Sequence, residues 1–432
     1  MKLKLPKIAD IKNKTVFVRV DFNVPLKIVD NGKGEKTSIV TDDERIKASL
    51  ETINFLVKNN ATVVMASHLG RPTSSADTQF SLETIANYMN KNLNLPVRFV
   101  KSCIGTEVED ALKSVSGSDQ PKIFLLENLR FHEEEEQNDS KFSKALAENM
   151  DVYINEAFST SHRAHASIVG ITKHLPSFAG FALEKEVSTF AKMMSDPKRP
   201  LVIILGGAKI SDKVGAIEHL AKIADIVLVG GAVANSFLKA DGLETYKSYI
   251  EEVSADLKKK DIDYVDVASK LIESHKTEKM LMDGYIPMPK ILHPIDVIAA
   301  TSLEETDPEK AQVIDLTVES EHKNSKNLLY LDIGPKTTRL YQEIIERAKT
   351  VFWNGPMGVW ENPIFENGTK KVGASVALSS AETIIGGGDT ISAAGHFGLE
   401  KQFSYVSAAG GAALDLLSGK KLPGLQPIQE NE

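Results

Sequence analysis

Short runs of apolar residues recur along the chain with almost no polar interruption: TVFVRVDF (15–22), ATVVMASH (61–68), KIFLLEN (122–128), LVIILGG (201–207), DIVLVGG (225–231), TVFWNG (350–355) and ETIIGGG (382–388). Strict alternation would mark a half-exposed strand. Continuous apolarity marks a strand buried on both faces, as in parallel sheets covered by helices. Between the runs the spacing changes, and Ile46, Leu50, Ile53 and Val57, like Tyr341, Ile344, Ile345 and Ala348, follow helical periodicity. Strand alternating with helix over the whole length predicts an α/β protein built on parallel, Rossmann-like sheets.

At 432 residues the chain exceeds what one core supports, and roughly 150 residues per domain gives about two or three domains. SDPKRP (195–200) marks a division just before the strongest strand, and EKEVSTFAKMMS (184–195) ahead of it predicts a helix joining two lobes. Residues after Gly419 carry closely spaced turn formers and read as a tail. No short-period repeat or low-complexity tract is present.

The 42% hydrophobic and 25% charged content is that of an ordinary globular protein, and the net charge of -8 disfavours nucleic acid or a membrane surface as partner. Any anionic ligand must therefore meet local positive charge. MKLKLPKIAD at the start lacks the apolar core of a secretory signal, and no later run approaches a membrane span. The single cysteine, Cys103, allows no intrachain disulfide and reads as a small apolar core residue. A cytoplasmic protein is expected.

Ligands of open parallel sheets sit at the carboxyl ends of the strands. In the first half those ends carry Arg19, Asp21 and Asn23 in RVDFNVP, His68 and Arg71 in SHLGRP, Arg130 and His132 in ENLRFH, and His162, Arg163 and His165 in SHRAHAS. Arg45 opens a helix after the loop at 27–44. The chain has only nine arginines, and five fall in these places. One arginine alone would pair with a surface carboxylate, but five at successive strand ends point to a small polyanion gripped by planar, bidentate donors. The histidine spacings match no zinc pattern and read as donors to the same anion.

The second half places glycine at its strand ends: LGGAKISDK (205–213), VGGA (229–232), WNGPMG (353–358) and IIGGGDT (384–390). Glycine lets backbone N–H groups approach a ligand, and a following helix N-terminus favours negative charge. Lys209 and Lys213 are spaced to share one face of a turn and reach phosphates, and Asp389 is a hard oxygen ligand suited to magnesium. This half is expected to bind a nucleotide. Each glycine pair on its own is better explained by close strand–helix packing with no ligand.

The motifs RVDFNVP, RIKASL, SHLGRP, ENLRFH, SHRAHAS, ILGGAKISDK, LDIGPKT, WNGPMGVWE, GGGDT and SGKKLPG run in order from residue 19 to residue 424, and on them the chain resembles the phosphoglycerate kinase family. The resemblance implies an N-terminal phosphoglycerate-binding lobe (1–183), a connecting hinge helix (184–199), a nucleotide-binding lobe (200–411) and a C-terminal helix and tail (412–432) returning to the first lobe. It implies reversible phosphoryl transfer between MgATP and the carboxylate of 3-phosphoglycerate, giving 1,3-bisphosphoglycerate and ADP, by a monomer. The residues implied for phosphoglycerate are Asp21, Asn23, Arg45, His68, Arg71, Arg130 and Arg163. Those implied for the nucleotide are Gly207, Ala208, Lys209, Lys213, Gly231, Asn354, Pro356, Glu361, Gly387, Gly388, Asp389 and Thr390, with Asp389 holding the magnesium. Arg45, Lys213 and Lys209 are expected to be catalytic, and a hinge closure to bring the substrates together without water.

Three places depart from the family pattern. SAAGGAA (407–413) puts Ala408 and Ala409 where the family has threonine and glycine, NEAF (155–158) has Glu156 for aspartate, and Tyr330 stands where a small residue is usual. A dehydrogenase is disfavoured because no GxGxxG opens a helix after a strand. A non-catalytic anion- and nucleotide-binding protein of the same fold is disfavoured by the joint presence of Arg45, Lys209, Lys213 and Asp389.

Overall fold

The apolar runs of the N-terminal half pair in parallel, in the spatial order Val97–Val100, Ile123–Leu126, Thr62–Ala66, Thr15–Arg19, Val152–Asn155 and Ser177–Ala179. Because side chains alternate across a strand, each run feeds two cores. Val16, Val18, Val63, Met65 and Ile154 pack on one face with Ile53, Leu56, Ile85 and Met89. Phe17, Val64, Phe124 and Tyr153 pack on the other with Val108, Ala111, Phe142 and Leu146. This is the physical reason the runs lack polar interruption.

The computed structural model describes residues 1–30, 36–115, 122–251, 262–276, 279–281 and 287–430. They fall into two units, Met1–Ala191 with Lys421–Glu432, and Lys192–Lys420. The boundary lies inside the helix Phe181–Ser195, which begins ahead of the stretch read as a connector. In the first unit the end of the chain is stitched in by Lys4 N–H to the Ile428 carbonyl (2.8 Å) and Gly424 N–H to the Ser161 carbonyl (2.9 Å). The helix Gly411–Leu417 belongs to the second unit and packs on Val214–Ile223.

The second unit is built on a parallel sheet ordered Ile291–Leu292, Ile226–Val229, Leu201–Leu205, Thr350–Asn354, Glu382–Gly386 and Tyr405–Ser407. The chain leaves Leu201–Leu205 toward one edge and later returns to the other side of it. The crevice between Leu205 and Asn354 is thus a topological switch point, where ligands of such sheets bind. A smaller antiparallel sheet, Gln312–Asp315, Asp296–Ala300 and Leu329–Ile333, joins this unit.

Tyr341, Ile344 and Ile345 are buried along Pro335–Arg347, with Ala348 as its C-cap. The other expected helix breaks at Ser49 into Glu44–Ala48 and Leu50–Lys58. The break turns the buried stripe to Ile46, Ile53 and Leu56 and leaves Val57 39% exposed. The loop at 27–44 folds as an antiparallel hairpin of Leu26–Asp30 and Lys36–Val40, and residues 31–35 within it lie outside the described residues. No described helix is long and apolar enough to cross a membrane.

Candidate active site

In the first unit, the ends of Thr15–Arg19 and Thr62–Ala66 deliver Asp21, Asn23 and His68 to one place. Arg45 Nη1 donates to Asp21 Oδ2 at 2.7 Å, the Ser159 hydroxyl donates to the same oxygen, and the Asn23 N–H donates to Oδ1 at 3.1 Å. Burial pushes the Asp21 carboxyl up, but the Arg45 guanidinium and these hydrogen bonds help to more than reverse it. Asn23 Oδ1 accepts from the Gly70 N–H at 2.8 Å, and Arg130 Nη1 donates to the Gly70 carbonyl at 2.5 Å. The SHLGRP turn is held further by Asn128, fully buried, which bridges the Leu69 N–H and carbonyl and the Phe80 carbonyl.

The charges converge. Burial depresses the Arg130 guanidinium, and although Glu136 opposes this at 3.1 Å, Arg163, Arg19 and Arg71 depress it further. Arg71 is exposed beside Gly70, and Arg163 is half-buried with Nε donating to His162 Nε2 at 3.2 Å. His68, 5% exposed, is driven down to about 3 by burial and by Arg19, Arg130 and Arg163, against the pull of Asp21. His165 is likewise driven down to about 4 by burial and the charges of Arg19, Arg163 and Arg130. Both rings are neutral at pH 7. Like charges gathered this closely repel one another unless an anion joins them, so the cluster is suited to an anionic ligand.

In the second unit, three strand ends meet backbone to backbone at the switch point. Gly207 N–H donates to the Pro356 carbonyl at 2.7 Å, and Gly231 N–H to the Met357 carbonyl at 2.8 Å. A side chain at Gly355, whose φ is +99°, would put its Cβ 2.2 Å from the Gly206 carbonyl oxygen. These glycines are required by the approach of one turn to another.

Beside them opens a cavity of about 350 Å³. Leu238, Val297, Leu331 and Val359 give it apolar wall, the turns at Gly207, Ala208, Gly231 and Pro356 border it, and Glu361 and Asp389 bring carboxylates to it. Burial lowers Lys213, which Asp212 and Asp389 partly restore, and its Nζ lies 3.2 Å from where a Gly207 Cβ would be. Lys209 is exposed. The lysines therefore differ in setting, because Ser211–Lys213 forms turns and Lys213 is the N-cap of Val214–Ile223.

Asn354 and Thr390 stand behind the cavity. Asn354 Nδ2 donates to the Gly386 carbonyl at 2.8 Å, and the Thr390 hydroxyl accepts from the Gly355 N–H at 2.6 Å. Gly387, with φ +94°, turns the strand Glu382–Gly386 into the helix Gly388–His396, and Asp389 lies in its first turn. A Cβ on Gly388 would meet nothing within 4 Å. Tyr330 lines the cavity with its hydroxyl turned away, near the Ser325 hydroxyl (3.1 Å) and the Glu244 carbonyl (3.3 Å). Ala408 is exposed and Ala409 buried, just before the left-handed Gly410.

Several residues that organise these sites escaped the sequence reading. Glu135 and Ser167 form a buried pair behind Arg19. Asp332 lines the cavity, accepts from the Gly368 N–H at 2.7 Å and is pushed up to about 8 by burial. Among the described residues, no group of three or more His, Cys, Asp or Glu side chains is disposed to hold a metal ion. Asp389 offers one carboxylate at the helix end of the cavity, which suits a cation that arrives already held by phosphate oxygens.

The family model described as phosphoglycerate kinase matches residues 7–420. The phosphoglycerate kinase of Pseudothermotoga lettingae is 42% identical over 432 residues, covering 100% of each chain. That of Finegoldia magna is 41% identical, with the same coverage. Among solved structures, phosphoglycerate kinase from Coxiella burnetii aligns with a TM-score of 0.76 at 34% identity, and that from Pyrococcus horikoshii OT3 with 0.74 at 31%, each covering 97% of both chains.

Proposed function

The chain belongs to the phosphoglycerate kinase family, and from that premise we propose how its own residues divide the reaction. It transfers a phosphoryl group reversibly between ATP and the carboxylate of 3-phosphoglycerate, giving 1,3-bisphosphoglycerate and ADP. The observation that carries the assignment of sites is the contrast between the two units. One gathers the charges of Arg19, Arg71, Arg130 and Arg163 around a few strand ends, and the other frames a mostly apolar cavity with glycine backbone.

The phosphoglycerate is read by the first unit. Arg71, Arg130 and Arg163 grip its phosphate and carboxylate as planar donors. Neutral His68 donates one further hydrogen bond, while Asp21, kept ionised, and Asn23 orient Arg45 and the SHLGRP turn. The attacking carboxylate is already charged at pH 7, so no general base is needed.

The nucleotide occupies the cavity of the second unit, with its base on the apolar wall, its ribose hydroxyls toward Glu361 and its phosphates toward Gly207, Ala208 and the N-terminus of Gly388–His396. Asp389 would hold the magnesium, which neutralises charge on the phosphate oxygens when bound. Lys213, poorly solvated against Gly207, is placed to follow charge as it develops on the equatorial oxygens, with Lys209 beside it and Arg45 on the acceptor side. Transfer is then a matter of positioning and charge neutralisation. Purified protein supplied with MgATP and 3-phosphoglycerate, coupled to reduction of the acyl phosphate, should show turnover. A folded sample without turnover would contradict the reading.

A further inference from the structure

Behind the basic cluster runs a buried chain of hydrogen bonds that the expected site residues do not account for. Glu135, 1% exposed, accepts from the Ser167 N–H at 2.9 Å and from the Ser167 hydroxyl at 2.5 Å. With its proton committed, the Ser167 oxygen offers a lone pair to Nε of Arg19, 2.9 Å away. Arg19, also 1% exposed, donates through Nη1 to the Val20 carbonyl and turns Nη2 toward Nδ1 of His68 at 3.3 Å.

Arginine carries donors only, so Nδ1 of His68 must present its lone pair to this contact, and in the neutral ring the proton sits on Nε2. A competitor faces the same atom. Asp21 Oδ1 lies 3.9 Å from Nδ1 and, as an acceptor, favours a proton there. The two arrangements give opposite chemistry at Nε2, a donor in the first and an acceptor in the second. Only a donor suits the oxygens of an anion.

We infer that Glu135 and Ser167 are positioning residues which, through Arg19, hold His68 in the Nε2–H tautomer and so make it a donor to the phosphoglycerate. The inference rests on the acceptor site proposed above. Burial and the surrounding arginines keep the ring uncharged, and its tautomer is therefore the variable left to control. Glu135 supplies the negative charge that lets a guanidinium be buried here, and the Ser167 hydroxyl fixes where that guanidinium points. Without this anchor Arg19 is free to swing from Nδ1, and Asp21 takes the proton.

The test is a nitrogen NMR spectrum of the full chain labelled at histidine, without substrate, with the His68 signals assigned by their loss in His68→Gln. The wild type should show a protonated Nε2. Ser167→Ala should populate Nδ1–H and raise the KM for 3-phosphoglycerate roughly fivefold, the net worth of one hydrogen bond, with the KM for ATP unchanged. Ser167→Thr, which keeps the hydroxyl, should restore both. A wild-type ring protonated on Nδ1, an unchanged tautomer in Ser167→Ala, or equal rises in both KM values would overturn the inference. Should Ser167→Ala not fold, the wild-type spectrum and Glu135→Gln decide by the same criteria. Because the spectrum needs no substrate, a correct tautomer in a protein that does not use phosphoglycerate would count against the acceptor site and not against the relay.

Discussion

Two glycines of the second unit should respond in opposite ways to one added methyl group. At Gly355 the new Cβ would lie 2.2 Å from the Gly206 carbonyl oxygen and 2.4 Å from its carbon, both backbone atoms at the end of a central strand, and φ is +99°. Left-handed strain and the clash together should cost about 2–5 kcal/mol in Gly355→Ala. At Gly388 the Cβ would meet nothing within 4 Å, and the residue begins a helix, where alanine is favoured by up to about 1 kcal/mol. Gly388→Ala should therefore be neutral or stabilising. Its methyl group would instead occupy the space assigned to nucleotide phosphate and displace a charge-assisted hydrogen bond, raising the KM for ATP about tenfold or more. Urea unfolding followed in the second unit and initial rates against ATP read the two effects separately. If Gly388→Ala loses as much stability as Gly355→Ala, or leaves the KM for ATP unchanged, the glycine run is packing alone and the phosphate assignment fails.

Lys213→Met should lower kcat about 10²–10³-fold, corresponding to about 3 kcal/mol of transition-state stabilisation, while ADP binding measured by calorimetry weakens far less. Matching losses would make Lys213 a ground-state grip. Asp389→Asn should raise the magnesium concentration needed for half-maximal rate; an unchanged magnesium dependence would place the cation elsewhere. Burial lifts the Glu156 carboxyl to about 7 from an ordinary 4.5, against hydrogen bonds from the Thr52 hydroxyl and the N–H groups of Leu183 and Ala182. The unfolded chain then releases this proton first. The stabilisation is complete below 4.5 and is lost as pH rises through 7, with a slope of up to about 1.4 kcal/mol per pH unit. Denaturant midpoints at acidic and neutral pH should show this slope flattened in Glu156→Gln; an unaltered slope would assign the pH dependence to other groups.

The parallel sheets were legible because burial on both faces leaves a local mark, and Val16 through Arg19 or Leu201 through Leu205 carry it without help from distant residues. The antiparallel sheet of Asp296–Ala300 and its neighbours was not, since its pairing joins segments with no hairpin signal between them. In the site, the scarcity of arginine drew notice to the basic cluster, and the family motifs supplied the individual roles proposed for its residues. What the sequence hid was which polar groups face inward. Glu135 sits in a run of four glutamates that reads as a solvated face, yet it is 1% exposed because its partner, Ser167, comes from a different segment. Arg19 looks like one more anion ligand in RVDFNVP and is instead buried behind His68. Asn354 and Thr390, which the family resemblance implies for the nucleotide, pin the backbone of Gly386 and Gly355.

The central claim is that the two substrates are bound by different units, and backbone hydrogen exchange with one substrate at a time tests it most directly. With 3-phosphoglycerate alone, amides around Asp21–Asn23, Gly70 and Arg130 should slow while those around Gly207, Gly231 and Gly387–Thr390 do not. ADP with magnesium should give the reverse. Protection of the glycine turns by phosphoglycerate, or of the arginine-bearing strand ends by ADP, would contradict the account.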